Sequence, residues 1–368
     1  MTLTWMNDLR NVDHVLCVTN NVYHDRRVLR IAKSLRNGGD TVVIIGRDYP
    51  LLNKEDEEGS VVYRLGCYLA KGPLFYLEYN LRLFFYMLTI RSRTVTAVDL
   101  DTVPGVYFSS FFRNSKLIFD ANEYFTEVPE LREKRFVKGV WSLIGKTMLR
   151  RFDRAITVSQ SLCEILSQKY KQPFKLIRNV PLLNRSEVGV EKYDRFSLVY
   201  LGVLNPGRGL EVLIDCILSI SNIDLHIVGD GPRRTALVDK ADNSDRIFFH
   251  GQMDQSDFEP LIRRCHVGVN LLDDSSLNYQ YSLANKFFDY LHSALPVLTM
   301  KFPEYALIQQ EFDCCYLIEK LNTKSVHLKL EEVVNDSSEY EKKCRAAKAA
   351  SLVYNWQKEE ALLVKIYD

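Results

Sequence analysis

Hydrophobic residues occur along this chain in short runs that alternate with polar loops and longer amphipathic segments. In the stretch 267–300, an apolar run at 267–272 predicts a buried strand, a helix is predicted to begin near Ser282, and a second apolar run after Pro296 predicts another strand. These elements form a βαβ unit. Ligands and anions are expected at the loop after its first strand, because helix amino termini favour negative charge.

The same order of strand, polar loop and helix recurs on both sides of a polar stretch at 184–196, which is predicted to be a linker. We therefore predict an α/β fold with two doubly wound, Rossmann-like parallel-sheet domains that face each other across a cleft. The first domain is predicted to comprise residues 1–183 with 355–368, and the second domain residues 197–354.

The composition is that of a globular protein, with 368 residues, 46% hydrophobic, 26% charged and a net charge of +1. This charge balance gives no indication of nucleic acid as a partner. The 8 Cys form no CxxC pair and no Cys/His cluster with metal-ligand spacing, which favours reduced thiols. We expect a cytoplasmic protein, because the sequence shows neither an apolar signal segment nor an apolar run of about 18 residues.

Two cationic side chains are candidates for binding an anion. Lys286 is predicted in the first turn of its helix, where a positive charge opposes the helix dipole, so a negative group is expected to face it. Asp289 lies one turn further on the same side, and in an alternative interpretation the two residues simply pair with each other. Arg208 lies between Gly207 and Gly209, which let backbone amides approach a ligand. Because both cations follow strands of one predicted sheet, they predict a diphosphate site.

Acidic residues also follow predicted strands in the first domain. Asp99 and Asp101 could be acid/base or metal-binding groups, but Asp101 could instead cap the helix that begins near Pro104. Asp25 and the arginines at 26 and 27 follow the polar loop after the first strand, where they either contact a ligand or cap and pair locally. No GxGxxG motif is present, so a nicotinamide cofactor is not expected.

Two segments have the composition of core or membrane-contacting helices. Residues 74–93 are rich in Phe, Tyr and Leu and predict a helix that is either buried in the core or in contact with a membrane. Residues 132–154 contain eight Arg or Lys, two acidic residues and a central Trp141. This pattern is typical of a helix on an anionic bilayer surface, although a solvated helix with its apolar face in the core fits it equally.

Several motifs, in their order along the chain, resemble those of the retaining glycosyltransferases of family 4, which have the GT-B fold, and especially the capsule or exopolysaccharide branch. The similarity covers nearly the whole chain, and its longest pieces are FDANEYFTEVPEL, LGVLNPGRGLEVLI, LHIVGDGP and SLANKFFDYLHSALPV. The resemblance implies transfer of a sugar from a nucleotide-sugar to a saccharide or lipid-linked acceptor, with retained configuration and with neither a metal nor another cofactor. The second domain would hold the donor, the first domain the acceptor, and the last helix, with Trp356, would return to the first domain.

By position, the resemblance also implies roles for individual residues. Arg208, Lys286 and Asn122 would be catalytic, with the two cations neutralising the diphosphate. The implied donor-binding residues are Gly202, Asn205, Gly207, Gly209, Gly229, Gly231, Tyr281, Ser282, Leu283, Ala284, Asn285 and Asp289. The implied acceptor-side residues are Asn21, Asp25, Arg26, Asp99, Asp101 and Glu123. A loop at 249–253 would help to frame the base.

Three positions depart from the family pattern. Tyr281 replaces a Glu that commonly contacts the donor sugar, Asn122 replaces a His, and Val203 replaces a basic residue. An amide can form hydrogen bonds but cannot accept a proton. Three functions therefore stay open: an active glycosyltransferase that contacts an anionic membrane through 132–154, a catalytically impaired protein that binds a nucleotide-sugar or a partner enzyme, and an epimerase of the nucleotide-sugar.

Overall fold

The structure is a computed structural model, and it describes residues 11–48, 61–183 and 190–368. The chain divides into two compact units, of which the first contains Met1–Arg178 and Glu359–Asp368, and the second contains Asn179–Lys358. Residues 184–189 of the predicted linker lie outside the described residues.

The first unit contains a seven-stranded sheet in which all strand pairs are parallel. Its strands are β1 (Asn11–Cys17), β2 (Val42–Arg47), β3 (Val61–Leu65), β4 (Arg91–Val98), β5 (Lys116–Ala121), β6 (Arg154–Thr157) and β7 (Phe174–Leu176), in the order β3-β2-β1-β4-β5-β6-β7. Its helices are α1 (Arg26–Asn37), α2 (Pro73–Met87), α3 (Val103–Ser109), α4 (Arg135–Met148) and α5 (Gln160–Tyr170).

The second unit contains a six-stranded parallel sheet. Its strands are β8 (Phe196–Leu201), β9 (Ile223–Val228), β10 (Ile247–Gly251), β11 (Val267–Asn270), β12 (Val297–Met300) and β13 (Cys315–Ile318), in the order β10-β9-β8-β11-β12-β13. Its helices are α6 (Leu210–Ser219), α7 (Arg234–Lys240), α8 (Gln255–Arg264), α9 (Leu277–Tyr281), α10 (Asn285–His292), α11 (Pro303–Phe312), α12 (Thr323–Asn335) and α13 (Ser337–Val353). The last helix, α14 (Trp356–Tyr367), begins in the second unit and ends in the first.

Both sheets are doubly wound, because the chain builds each sheet outward in one direction and then in the other. The predicted fold class, two doubly wound parallel-sheet α/β domains, is therefore confirmed. The apolar runs read as strands are buried on both faces, as the fully buried β11 illustrates. The order reverses between β1 and β4 in the first sheet and between β8 and β11 in the second. In such sheets, ligands bind beyond the carboxyl ends of the strands at these switch points.

A buried ion pair crosses the interior of the first unit. The guanidinium of Arg27, on α1, donates from Nε and Nη2 to the carboxylate of Asp120 on β5, at 2.9 and 2.8 Å, and from Nη1 to the carbonyl of Ile177 at 2.7 Å. The two side chains are 1% and 0% exposed. Of the two alternatives for residues 25–27, local pairing is therefore wrong for Arg27, because its partner lies 93 residues away in the chain.

Helix α2 is only half buried, which corrects its interpretation as a core helix. Phe75, Tyr79, Leu83 and Met87 pack inward, whereas every turn also presents a large apolar side chain to solvent. The long apolar composition of this segment reflects two opposite apolar faces rather than complete burial. Among the described residues, no helix is long and apolar enough to cross a membrane.

Candidate functional site

The switch point of the second sheet is formed by two loops, 202–209 after β8 and 271–284 after β11. The loops are joined by a hydrogen bond from the amide of Asp273 to the carbonyl of Gly207, at 2.9 Å. The hydroxyl of Tyr279 donates to the carbonyl of Pro206 at 3.5 Å. These contacts hold Arg208, in the first loop, beside the residues of the second loop.

Helix α10 begins at Asn285, which corrects the predicted start near Ser282. A separate short helix, α9, ends at Tyr281, and residue 284 has extended backbone angles. The amide of Ala284 donates to the hydroxyl of Tyr305 at 3.1 Å, so a tertiary contact replaces a helical hydrogen bond there. Lys286 consequently occupies the second position of α10, close to its positive end.

The orientation of α10 is fixed by Tyr290. Its hydroxyl accepts from the amide of Leu201 at 2.9 Å and donates to the carbonyl of Val269 at 3.3 Å, so it bridges β8 and β11 at the switch point. The ring lies over Gly268, where a Cβ atom would come within 2.2 Å of it. This close packing directs Lys286, one turn earlier, toward the end of β8.

Lys286 is 8% exposed, and its Nζ is a buried nitrogen without a hydrogen-bond partner in the described structure. The Nζ lies 3.6 Å from the ring centroid of Tyr200 and close to Gly202. Burial and the nearby positive charge of Arg208 lower the pKa of Lys286 well below its usual value. The alternative in which Lys286 pairs with Asp289 is therefore wrong.

Arg208 approaches the same place from the other loop. Its guanidinium carbon lies 5.0 Å from the ring centroid of Tyr279, and its buried Nε has no hydrogen-bond partner among the described residues. Arg208 and Lys286 thus lie near each other at a helix amino terminus, and in the part of the chain that the structure describes one nitrogen of each lacks an acceptor. An unpaired buried charge is costly, and an anion that accepted hydrogen bonds from both side chains would lower that cost.

Glycine is required where the ends of β8 and β9 come together. A Cβ at Gly229 would lie 2.0 Å from the carbonyl oxygen of Gly202, and one at Gly231 would lie 2.7 Å from the amide nitrogen of Leu204. Both glycines also have positive φ, at 137° and 158°. Glycine at these two positions therefore lets the backbone after β9 pack directly against the backbone after β8.

The other predicted donor-binding residues have different surroundings. Ser282 donates to the carbonyl of Tyr279 at 2.9 Å, Leu283 is buried, and Asn285 is exposed. Asn205, Tyr281 and Asp289 are partly exposed, and Gly209 begins the first turn of α6 in the left-handed conformation. All of them lie in the two loops or in the first turns of the helices that follow.

The switch point of the first sheet carries the acidic residues. The hydroxyl of Thr19, just after β1, donates to Oδ2 of Asp101, just after β4. The helix that follows, α3, begins at Val103, and its N-cap position is Thr102, whose side chain forms no capping hydrogen bond. Asp101 comes before the N-cap position, so the interpretation of Asp101 as a helix cap is wrong. Asp99 has a φ of 56°, unusual for a residue with a side chain, and its Oδ1 accepts from the amide of Asn122 at 2.9 Å.

Two oxygens of this cluster are buried without donors in the described structure, Oδ1 of Asp101 and Oδ1 of Asn122. Burial raises the pKa of Asp101 to about 7. Burial, with the charges of Glu123 and Asp101, also raises the pKa of Asp99 well above its usual value. The cluster therefore offers acceptors to a ligand with hydroxyl or other donor groups.

The remaining acceptor-side residues surround the same end of the sheet. Asp25 accepts from the amide of Val28 at 3.1 Å and caps α1, as one of the two alternatives predicted. Asn21 accepts from the amide of Tyr23 at 3.2 Å in a short turn after β1. Arg26 and Glu123 are partly exposed.

Sequence reasoning missed Thr19, Tyr200 and Tyr279. Thr19 could have been found, because it is the first polar residue after the run HVLCV. The tyrosines gave no signal, because a single aromatic residue in a strand or in a short helix such as α9 has no distinctive spacing. Among the described residues, no group of three or more His, Cys, Asp or Glu could hold a metal ion.

The raised pKa of Asp101 predicts how stability depends on pH. Since the folded state retains the proton up to about pH 7 while the ordinary value is 3.8, this group lowers stability as pH rises through that interval. Near pH 8, the free energy of unfolding of Asp101→Asn, measured in urea, should therefore exceed that of the parent by on the order of 2 kcal/mol. The difference should vanish near pH 4. Equal stability of both proteins at all pH values would contradict the assignment.

Two doubly wound parallel-sheet domains are the architecture of the GT-B class of fold, and the cationic site lies at the switch point of the second sheet. Residues 195–336, which contain that site, match the family described as Glycosyl transferases group 1. A comparison with curated proteins found no match.

The similar solved structures include sucrose-phosphate synthase from Thermosynechococcus elongatus, at 13% identity and a TM-score of 0.77, covering 96% of this chain and 98% of that one. HepE of Anabaena in complex with UDP has 13% identity and a TM-score of 0.75, with 96% and 99% covered. WaaG, a glycosyltransferase involved in lipopolysaccharide biosynthesis, has 12% identity and a TM-score of 0.73, with 96% and 99% covered. At these identities, the likeness shows the fold.

Proposed function

We propose that this protein is a retaining glycosyltransferase of family 4, of capsule or exopolysaccharide type, which moves a sugar from a nucleotide-sugar to a saccharide or lipid-linked acceptor. The observation that carries the proposal is that, within the described part of the chain, a buried nitrogen of Lys286 and one of Arg208 have no acceptor. A diphosphate offers negative charge and several oxygen acceptors to both side chains. The family match of residues 195–336 supports this proposal, as does the HepE structure in complex with UDP-glucose.

The surrounding residues would hold the rest of the donor. The backbone from Gly229 to Gly231 and the loop at 249–253 would frame the base. Asp289, one turn after Lys286 on α10, would accept hydrogen bonds from the ribose hydroxyls. Residues 281–285 would line the path of the donor sugar.

The same two cations explain the chemistry. Negative charge grows on the diphosphate as the bond between the anomeric carbon and the phosphate oxygen breaks, and Arg208 and Lys286 would stabilise that charge. The acceptor oxygen would form its bond to the anomeric carbon on the face that the phosphate leaves, so the configuration would be retained. The proton of the acceptor hydroxyl would pass to the departing phosphate oxygen. The scheme uses the two side chains as the source of positive charge and needs neither a metal ion nor another cofactor.

The cluster in the first unit would bind the acceptor. Oδ1 of Asp101 and Oδ1 of Asn122 lack donors within the described structure, and sugar hydroxyls would supply them. Asn122 would orient a hydroxyl group, because an amide cannot take its proton. A lipid-linked acceptor would place the reaction at the cytoplasmic face of a membrane, where the basic segment 132–154 would meet anionic lipid.

Release of a nucleoside diphosphate tests the proposal. The purified protein is incubated with a panel of nucleotide-sugars and an acceptor extract, and Arg208→Ala is the matched negative control. We expect one donor to give diphosphate release that depends on the acceptor, with the anomeric configuration retained in the product. No release from any donor would contradict the proposal. Conversion of the donor sugar without acceptor would instead indicate an epimerase.

Asn122 and Tyr281 favour a second candidate, a catalytically impaired protein that binds the nucleotide-sugar or a partner enzyme. If this is correct, calorimetry should show donor binding without turnover. Asn122→His should then give measurable turnover, because an imidazole can accept a proton and carry charge. Turnover in the parent that Asn122→His does not increase would contradict this candidate.

A further inference from the structure

Helices α2, α3 and α4 form one layer on a single face of the first sheet. The connections from β3 to β4, from β4 to β5 and from β5 to β6 all advance in the same direction, so right-handed crossovers place the three helices on the same side. The rings of Tyr76 and Trp141 join α2 to α4, with centroids 5.3 Å apart. Gly105 on α3 lies so close to α2 that a Cβ there would be 2.9 Å from Leu83.

The outer surface of α2 is a continuous apolar stripe. Its exposed side chains are spaced three or four residues apart: Leu74 (65% exposed), Leu77 (58%), Leu81 (51%) and Phe85 (63%). This spacing places them on one side of the helix, opposite the buried side chains. The first unit covers only one of the two apolar faces of α2, and the other face is exposed to solvent.

The neighbouring helices continue this surface. Their exposed apolar residues are Phe108, Phe111 and Phe112 at the end of α3, and Phe136, Val140 and Leu143 on α4. The rings of Phe84 and Phe112 lie 6.1 Å apart and connect the two groups. With about 200 Å² for each large side chain, these ten residues expose on the order of 1,000 Å² of apolar surface, more than single-chain soluble proteins usually leave uncovered.

Basic residues flank this surface. Lys134, Arg135, Lys146 and Arg150, on or next to α4, are exposed. Of the acidic side chains nearby, Glu78 accepts from two backbone amides and from Arg82, and Glu127 pairs with Lys138 at 2.6 Å. Glu130 and Glu133 are exposed, and they are fewer than the exposed basic residues. The flank therefore carries net positive charge next to exposed apolar side chains.

We propose that this surface, which we call the α2–α4 face, docks on an anionic lipid bilayer. Its leucine and phenylalanine side chains enter the boundary between headgroups and acyl chains, and its lysines and arginines contact lipid phosphates. A second copy of the chain fits poorly, because self-association through this face would bring two basic flanks together. The proposal rests on the proposed function, because docking on a bilayer would give the enzyme access to a lipid-linked acceptor. It extends the predicted membrane contact from α4 alone to the three helices α2, α3 and α4.

Vesicle flotation with the full chain tests the proposal, using phosphatidylcholine vesicles with and without phosphatidylglycerol. We expect binding to the anionic vesicles that weakens at high salt. The double variant Leu77→Glu with Phe85→Glu should lose roughly tenfold or more in binding, and so should Lys146→Ala with Arg150→Ala. Leu307→Glu with Leu328→Glu, at exposed positions of the second unit, should bind like the parent.

The proposal would be overturned if the parent bound neither kind of vesicle. It would also be overturned if the variant Leu77→Glu with Phe85→Glu, which we call the α2 variant, kept the unfolding temperature of the parent and bound vesicles as well as the parent does. Loss of a parent dimer in the α2 variant, without any effect on vesicle binding, would assign the face to a second copy and also overturn it. Calorimetric titration of the same proteins with UDP separates this proposal from the proposed function. Vesicle binding without nucleotide binding would leave the bilayer proposal standing and contradict the enzyme.

Discussion

Lys286→Met should make the protein more stable and at the same time weaken its binding of a nucleoside diphosphate. The gain in stability is expected because the Nζ of Lys286 is buried and has no hydrogen-bond partner among the described residues. Leaving such a group unsatisfied costs about 1 to 3 kcal/mol, which methionine, of similar length, avoids. The loss of affinity is expected because a charged hydrogen bond to phosphate contributes about 1.5 to 3 kcal/mol, so Kd should rise roughly ten- to hundredfold.

Proton uptake gives an independent measure of the same site. Because burial and Arg208 lower the pKa of Lys286 well below its usual value, binding of a diphosphate should raise that pKa again and draw a proton from the buffer. The binding enthalpy of UDP should therefore vary with the ionisation enthalpy of the buffer in the parent and less so in Lys286→Met.

The control for this prediction is Lys301→Met, which removes an exposed lysine of the same unit that pairs with Glu319 at 2.8 Å. It should change neither stability nor UDP affinity by more than about 0.5 kcal/mol. If Lys286→Met were less stable than the parent and bound UDP equally well, the lysine would be a structural residue and the diphosphate site would be elsewhere.

Arg27→Ala should destabilise the protein by about 3 to 5 kcal/mol, because it leaves the carboxylate of Asp120 buried and unpaired. That carboxylate is 0% exposed and takes hydrogen bonds from both Nε and Nη2 of the arginine. Urea unfolding, followed by circular dichroism, measures the loss. Arg345→Ala, in an exposed pair with Glu341 whose side chains are 72% and 70% exposed, should cost less than about 0.5 kcal/mol.

A double variant separates the charge from the packing. Arg27→Met with Asp120→Leu removes both charges and should be more stable than Arg27→Ala, because no charge is left buried without a partner. Equal loss in the single and double variants would mean that the shape of the arginine matters more than its charge.

Much of the fold could be predicted from local patterns. Apolar runs such as VVIIG in β2 are characteristic of strands buried on both faces, and repeated units of strand, helix and strand favour parallel sheets. The ends of helices were harder to predict, as α9 and α10 show. The break between them depends on the hydroxyl of Tyr305, 21 residues after Ala284, which no local pattern contains.

The candidate site divides in the same way. The sequence by itself determined that Arg208 and Lys286 follow strands of one sheet, because their positions in the βα units depend on spacing along the chain. Only the tertiary structure decided that Lys286 lies against Tyr200 and does not pair with Asp289. The tertiary structure likewise decided that Thr19 donates to Asp101 and that α2 exposes a second apolar face to solvent. The physical reason is that burial and pairing are properties of side chains far apart in sequence, whereas the strand and helix patterns arise from neighbours.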